Sequence, residues 1–167
     1  MKRTIALLLG FSVIASVALA KEERISFPAD YKQFENYLSL DRVQNHDQII
    51  RLFANDAAIE AAGQGRELPY GSVIVGEVYK AKTDDDGNVV TSSLGRRIRG
   101  KLAAIAVMEK GEGWGEKFPD DLKNGDWDFA IFSPDGKRLD KDLNTCRSCH
   151  APLSESQHLF SLEHLAR

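Results

Sequence analysis

Past residue 20 the 167-residue chain has no apolar run long enough to cross a bilayer, so the remainder is read as lacking a membrane span. Cysteine is scarce: Cys146 and Cys149 are the only two, which excludes a disulfide framework. Histidine is almost as sparse, with four in all, so the ligand clusters of a structural zinc site are missing. Positive charge is not in excess either. Lys and Arg number 22 against 25 Asp and Glu, a formal net charge of −3, which argues against nucleic acid as a partner. Internal repeats and low-complexity linkers are absent, so nothing divides the chain into several domains.

What is present begins with a targeting segment. Lys2 and Arg3 precede an apolar stretch from Ile5 that closes on Ala18-Leu19-Ala20, the form of a secretory signal with a small-residue cleavage site. Residues 1–20 are therefore expected to be a signal peptide cut near Ala20, and residues 21–167 a single periplasmic domain. Removing the signal leaves 20 basic and 25 acidic residues, a net charge of −5 with neutral histidines. Export carries both cysteines into a compartment where a thiol pair tends to become a disulfide, a metal site or a cofactor anchor.

The element pattern is mixed. Ser26 and Pro28 read as a helix start, and Tyr31, Phe34, Tyr37 and Leu38 follow at helical spacing, predicting a helix to about Leu40. Residues 49–54 look like a strand, and Asn55 or Asp56 then caps a short alanine-rich helix stopping at Gly63 or Gly65. Residues 72–80 are rich in β-branched and aromatic side chains and predict a strand. Asp86-Gly87 is a hairpin signal, with residues 89–92 as the returning strand. Between 96 and 110 alternation gives way to a continuous apolar run, which fits a strand entering a covered sheet, although a buried helix has the same signature. Residues 127–132 predict another strand, ended by a turn at Ser133-Pro134-Asp135-Gly136, and residues 154–167 a terminal helix.

The segment that carries chemistry is Cys146-Arg147-Ser148-Cys149-His150. A two-residue gap lets both thiols reach the two vinyl groups of one haem, while the next residue offers an imidazole to the iron; this is the attachment motif of c-type cytochromes. An ordinary disulfide, a thioredoxin-like redox pair and half a zinc site are the competing readings. Zinc needs more ligands nearby, and a redox pair normally starts a helix in a βαβ context. The expected cofactor is one covalent haem c per chain, bound through Cys146, Cys149 and His150. Candidates for the opposite axial position are Met108, His46, His158 and His164, and none is compelling. Met108 sits where a core residue would, His46 in a polar stretch, and His158 and His164 where surface or propionate contacts are expected. An open distal position is favoured. Arg96, Arg97, Arg99 and Lys101 form a basic cluster that fits haem propionates, an acidic redox partner or merely a solvated strand face.

Residues 68–79, the run Gly125-Asp126-Trp127-Asp128-Phe129, the cysteine motif and Leu159-Phe160 together resemble the cytochrome P-460 and cytochrome c′-beta family over most of the mature chain. The resemblance implies an α+β fold, an antiparallel β-sheet with flanking helices, commonly in a homodimer, with His150 proximal and a distal pocket shaped by the sheet and nearby aromatics. Hydroxylamine-oxidising members join a lysine to the haem edge just before the glutamate that matches Glu77; here that position is Gly76. Lys80 is four residues farther along the strand, about 13 Å away, too far to substitute. The expectation is thus capture of a diatomic gas such as nitric oxide. Electron exchange with a redox partner protein through a haem carrying a sixth protein ligand is the alternative, and hydroxylamine oxidation comes third.

Overall fold

The computed structural model describes residues 23–166. The signal-peptide expectation for residues 1–20 lies outside them, and among the described residues no helix is long and apolar enough to cross a membrane. Five strands form one antiparallel sheet in the order of the chain: β1 (Glu35–Asp41), β2 (Gln48–Ala54), β3 (Val73–Ala81), β4 (Arg99–Lys110) and β5 (Trp127–Phe132). Three short helices accompany it, α1 (Asp56–Gly63), α2 (Asn144–His150) and α3 (Leu162–Leu165). The expected α+β architecture is therefore observed.

Two expected helices are corrected. Tyr31–Gln33 is a single 3₁₀ turn, and the chain then extends into β1 rather than continuing as a helix to Leu40. Tyr31 packs on one face of the sheet and Tyr37 on the other, a division that one helix face could not achieve. A β-bulge between Asn36 and Leu38 brings Tyr37 and Leu38 into the same cluster, which disguises the period-two alternation of a strand. The terminal helix shrinks to a 3₁₀ turn at Ser154–Ser156 and the four-residue α3, because Gln157 and His158 adopt left-handed backbone conformations, φ 52° and 61°. The returning strand expected at 89–92 is reduced to isolated bridges, Thr83 with Val89 and Thr91 with Arg97.

Helix α1 forms as its sequence predicts. Asn55 Oδ1 accepts from the Ala58 amide at 3.3 Å, and the small side chains Ala58, Ala61 and Ala62 let the helix lie close against the sheet. Gly65, at φ +64°, supplies the left-handed residue after it, while the Arg66 amide returns to the Ala61 carbonyl at 2.9 Å.

The sheet's two faces are covered differently. On one, Phe53, Val75, Ile105, Val107, Ala130 and Phe132 pack with Ile25 and Tyr31 into a closed core. Burying each of its larger aliphatic side chains contributes about 1.5–3 kcal/mol. On the other, α1 and the C-terminal segment cover one end, where Ala54, Ile74 and Trp127 meet Leu159 and Leu165. The far end of that face stays half-exposed: Leu40, Ile50, Val78, Ala104, Ala106 and Ile131 are each only partly buried.

Candidate functional site: a cysteine-histidine helix beside an apolar sheet face

Helix α2 carries the whole cysteine motif, so the two thiols and the imidazole project from two successive turns. Both cysteines are unpaired, Cys149 exposed and Cys146 partly buried. Burial raises the Cys146 thiol above its ordinary value, opposed by the nearby Arg147 and Arg42 guanidiniums.

His150 is oriented on every side. Its ring stands edge-on to Phe129 at 5.1 Å and to Phe160 at 4.8 Å between centroids. Its Nδ1 lies 2.7 Å from the His158 carbonyl oxygen. A carbonyl only accepts, so the proton sits on Nδ1 and the Nε2 lone pair is left available. Burial holds the imidazole's pKa below its ordinary value, with the carbonyl bond acting the other way, which keeps the ring neutral and able to ligate a metal. In return, His158 Nδ1 faces the His150 carbonyl oxygen at 3.2 Å.

The helix is anchored from beneath by its fourth residue. Arg147 is 8 % exposed although it lies between the two cysteines, and its guanidinium pairs with buried Asp128 of β5. The same group bonds Asn144 Oδ1 at 3.1 Å and lies 4.3 Å above the Phe118 ring, while the Arg147 carbonyl accepts from Asn124 Nδ2 at 3.2 Å. Sequence reasoning missed this anchor, since nothing in the order of residues links position 147 to position 128.

Strand register places the half-exposed apolar strip next to His150. Phe129, on which the His150 ring rests, shares its face with Ile131, which pairs with Ala106; Ala106 pairs with Gly76, and Gly76 with Leu52. Small side chains at 104 and 106 leave this part of the face a shallow hollow, while Ile50 and Leu52 pack over Gly76, which is itself buried. A Cβ at Gly76 would meet Ile50 Cδ1 at 3.1 Å and Leu52 Cδ2 at 3.4 Å. The side chains of the strip carry neither hydrogen-bond donor nor charge.

The residues fit a covalently held haem: two free thiols at the required spacing, an imidazole with one nitrogen committed and the other available, and an apolar face needing cover. Of the four candidates for the opposite axial position, Met108 is on the same sheet face as the strip and pairs with Phe129, and His158 adjoins His150. Met108 packs into the cluster beneath α1, His46 lies in an exposed loop 3.5 Å from Arg97, and His164 is beside Glu163. His158 supports His150 through its main chain. The basic cluster is structural in its most fully bonded member: Arg97 Nη1 donates to the carbonyls of Arg42, Asn45 and Gln48 at 2.8, 3.0 and 2.9 Å, while Arg96 pairs with Asp41 and Arg99 stacks on Tyr79.

A separate cleft of about 740 Å³ is lined by His158 but not by His150. Its charged groups are already satisfied: Lys110 Nζ donates to Glu67 at 2.6 Å and to the Leu68 carbonyl at 2.8 Å, and Tyr70 donates to Asp126 at 2.9 Å. The cleft therefore offers fewer grounds for a reactive centre than the apolar strip beside the motif.

No curated protein matches the chain. The model of the family described as cytochrome P460 matches residues 28–161, spanning every strand of the sheet and the cysteine motif, and the chain belongs to that family.

Proposed function

We propose that the protein is an exported mono-haem cytochrome that captures nitric oxide or a similar diatomic ligand. The family is one of haem proteins. In this reading Cys146 and Cys149 form thioethers to one haem c per chain, and His150 Nε2 is the proximal ligand. The cofactor so bound would supply an iron with one coordination position open to a small ligand. The chain's own contribution is to keep His150 neutral and oriented through the His158 carbonyl, and to face the opposite side with side chains that neither ligate nor donate hydrogen bonds.

The observation that carries this reading is the juxtaposition of an available His150 Nε2 with a donor-free strip running from Ile131 through Ala106 to Gly76. Anionic ligands and a bound water would find no partner there, whereas a nonpolar diatomic needs none. Gly76 also weighs against a lysine-cross-linked enzyme. Lys80, the nearest lysine along β3, is paired with Asp47 at the exposed end of that strand.

Ultraviolet and visible spectra of the purified ferric and ferrous protein, with nitric oxide added to the ferrous form, test the reading. High-spin resting bands that shift with nitric oxide are expected; a low-spin spectrum indifferent to it would move the protein to the electron carriers. Intact mass fixes haem stoichiometry and the processing site near Ala20, and sedimentation tests the homodimer that the family resemblance implies.

A further inference from the structure

We propose that Gln157 is a positioning residue for the proximal histidine: it straps the loop whose carbonyl holds His150 to the segment before β3. The inference rests on the reading of His150 as the iron ligand. Three observations carry it. Gln157 and His158 are consecutive non-glycine residues with positive φ, 52° and 61°. Such a pair is strained and persists only where its surroundings fix it. The fixing contacts are present. Gln157 Oε1 accepts from the Leu68 amide at 2.7 Å, 89 positions away in sequence, and the His158 amide donates to the Leu153 carbonyl at 2.7 Å. The product of this geometry is the His158 carbonyl, delivered at 2.7 Å to His150 Nδ1.

Leu68 is a sound anchor, with 0 % exposure in the core beneath α1. The Gln157 amide therefore joins the buried core beneath α1 to the acceptor that holds the imidazole. A firm Nδ1–H bond gives the ring more imidazolate character, which strengthens its donation to iron and favours the ferric state. Loosening the strap lets the carbonyl drift and weakens that donation, even though Gln157 touches neither His150 nor the cofactor position.

The experiment compares the wild type with Gln157→Asn and Gln157→Glu in the full chain. Asparagine tolerates the left-handed backbone but is one methylene too short to reach Leu68, and glutamate keeps an acceptor oxygen at full reach. Haem attachment, read by intact mass, tests the underlying assignment by itself. Given attachment, the iron–histidine stretching band of the ferrous protein should fall in Gln157→Asn and return towards the wild-type position in Gln157→Glu. The ferric preference should drop by on the order of tenfold in the asparagine variant, about 59 mV for a one-electron couple. An unchanged band and potential in a haem-loaded Gln157→Asn protein would overturn the proposal, as would a glutamate variant no better than the asparagine one. Should the wild type carry no haem, solvent exchange of the His150 Nδ1 proton, followed by nuclear magnetic resonance, still decides it: faster exchange in Gln157→Asn than in wild type supports the strap, and equal exchange refutes it.

Discussion

The two faces of the sheet are built from the same five strands but handle polarity in opposite ways. The closed face buries charge and satisfies it. Glu77, 3 % exposed, accepts from Tyr31 and Tyr79, each at 2.9 Å, and from Arg51 at 3.2 Å, and Asp128 of the same face holds Arg147. Burial, followed by the bond to Glu77, raises the Tyr31 hydroxyl well above its ordinary pKa, so it remains a donor at any physiological pH. The open face has an uncharged strip of small and aliphatic side chains that stays partly exposed. Charge networks here serve cohesion, and the proposed ligand position is the place from which charge has been withheld. A buried polar group is stabilising only when its partners are complete, whereas an apolar hollow remains available to a guest.

Substitutions that break this division should differ greatly in effect. The largest is Arg147→Met, which leaves Asp128 buried without its cation. Unfolding in urea should reveal a loss of about 3–5 kcal/mol, together with poor haem attachment because α2 loses its anchor. Glu77→Leu comes next: it strands two tyrosine hydroxyls and one guanidinium, and should cost about 1–3 kcal/mol in the same assay. On the open face the signature reverses. Ala106→Leu fills the hollow and should leave the urea midpoint close to wild type while slowing nitric oxide association by on the order of tenfold, equivalent to about 1.4 kcal/mol. A large loss of stability with unchanged ligand kinetics would show that the hollow is core rather than pocket.

The smallest effect belongs to Glu109, at the end of β4 on the closed face, whose pKa is raised by burial. Its folded pKa lies above its unfolded value, so its contribution is fully present below the unfolded pKa, near 4.3, and is lost as pH rises through the folded pKa. Glu109→Gln should therefore be more stable than wild type at neutral pH, with the difference vanishing below pH 4, as measured by thermal unfolding across that range.

Much of this contrast was legible in the sequence, but unevenly. Strands β2 to β5 and helix α1 could be read because their side chains alternate or cap locally, and the signals lie within a few residues of one another. Strand β1 could not, because its bulge puts Tyr37 and Leu38 on the same side and imitates helical spacing. The terminal segment reads in sequence as one helix because no glycine or proline marks the break at Gln157 and His158; long-range contacts impose it. Cys146, Cys149 and His150 stood out by spacing alone, whereas the partners that orient them, Asp128 and the His158 carbonyl, come from pairings that only the fold creates.

The strand order has a kinetic consequence. Since each strand pairs only with its sequence neighbours, the sheet can close one hairpin at a time, and the entropy of each closure stays small. The cysteine-bearing helix follows all five strands in the chain, so the apolar floor can be assembled before the thiols are fixed in place. This partly exposed apolar floor is thus uncovered during the interval between closure of the sheet and arrival of its cover, and under the proposed function the rate of haem attachment sets the length of that interval.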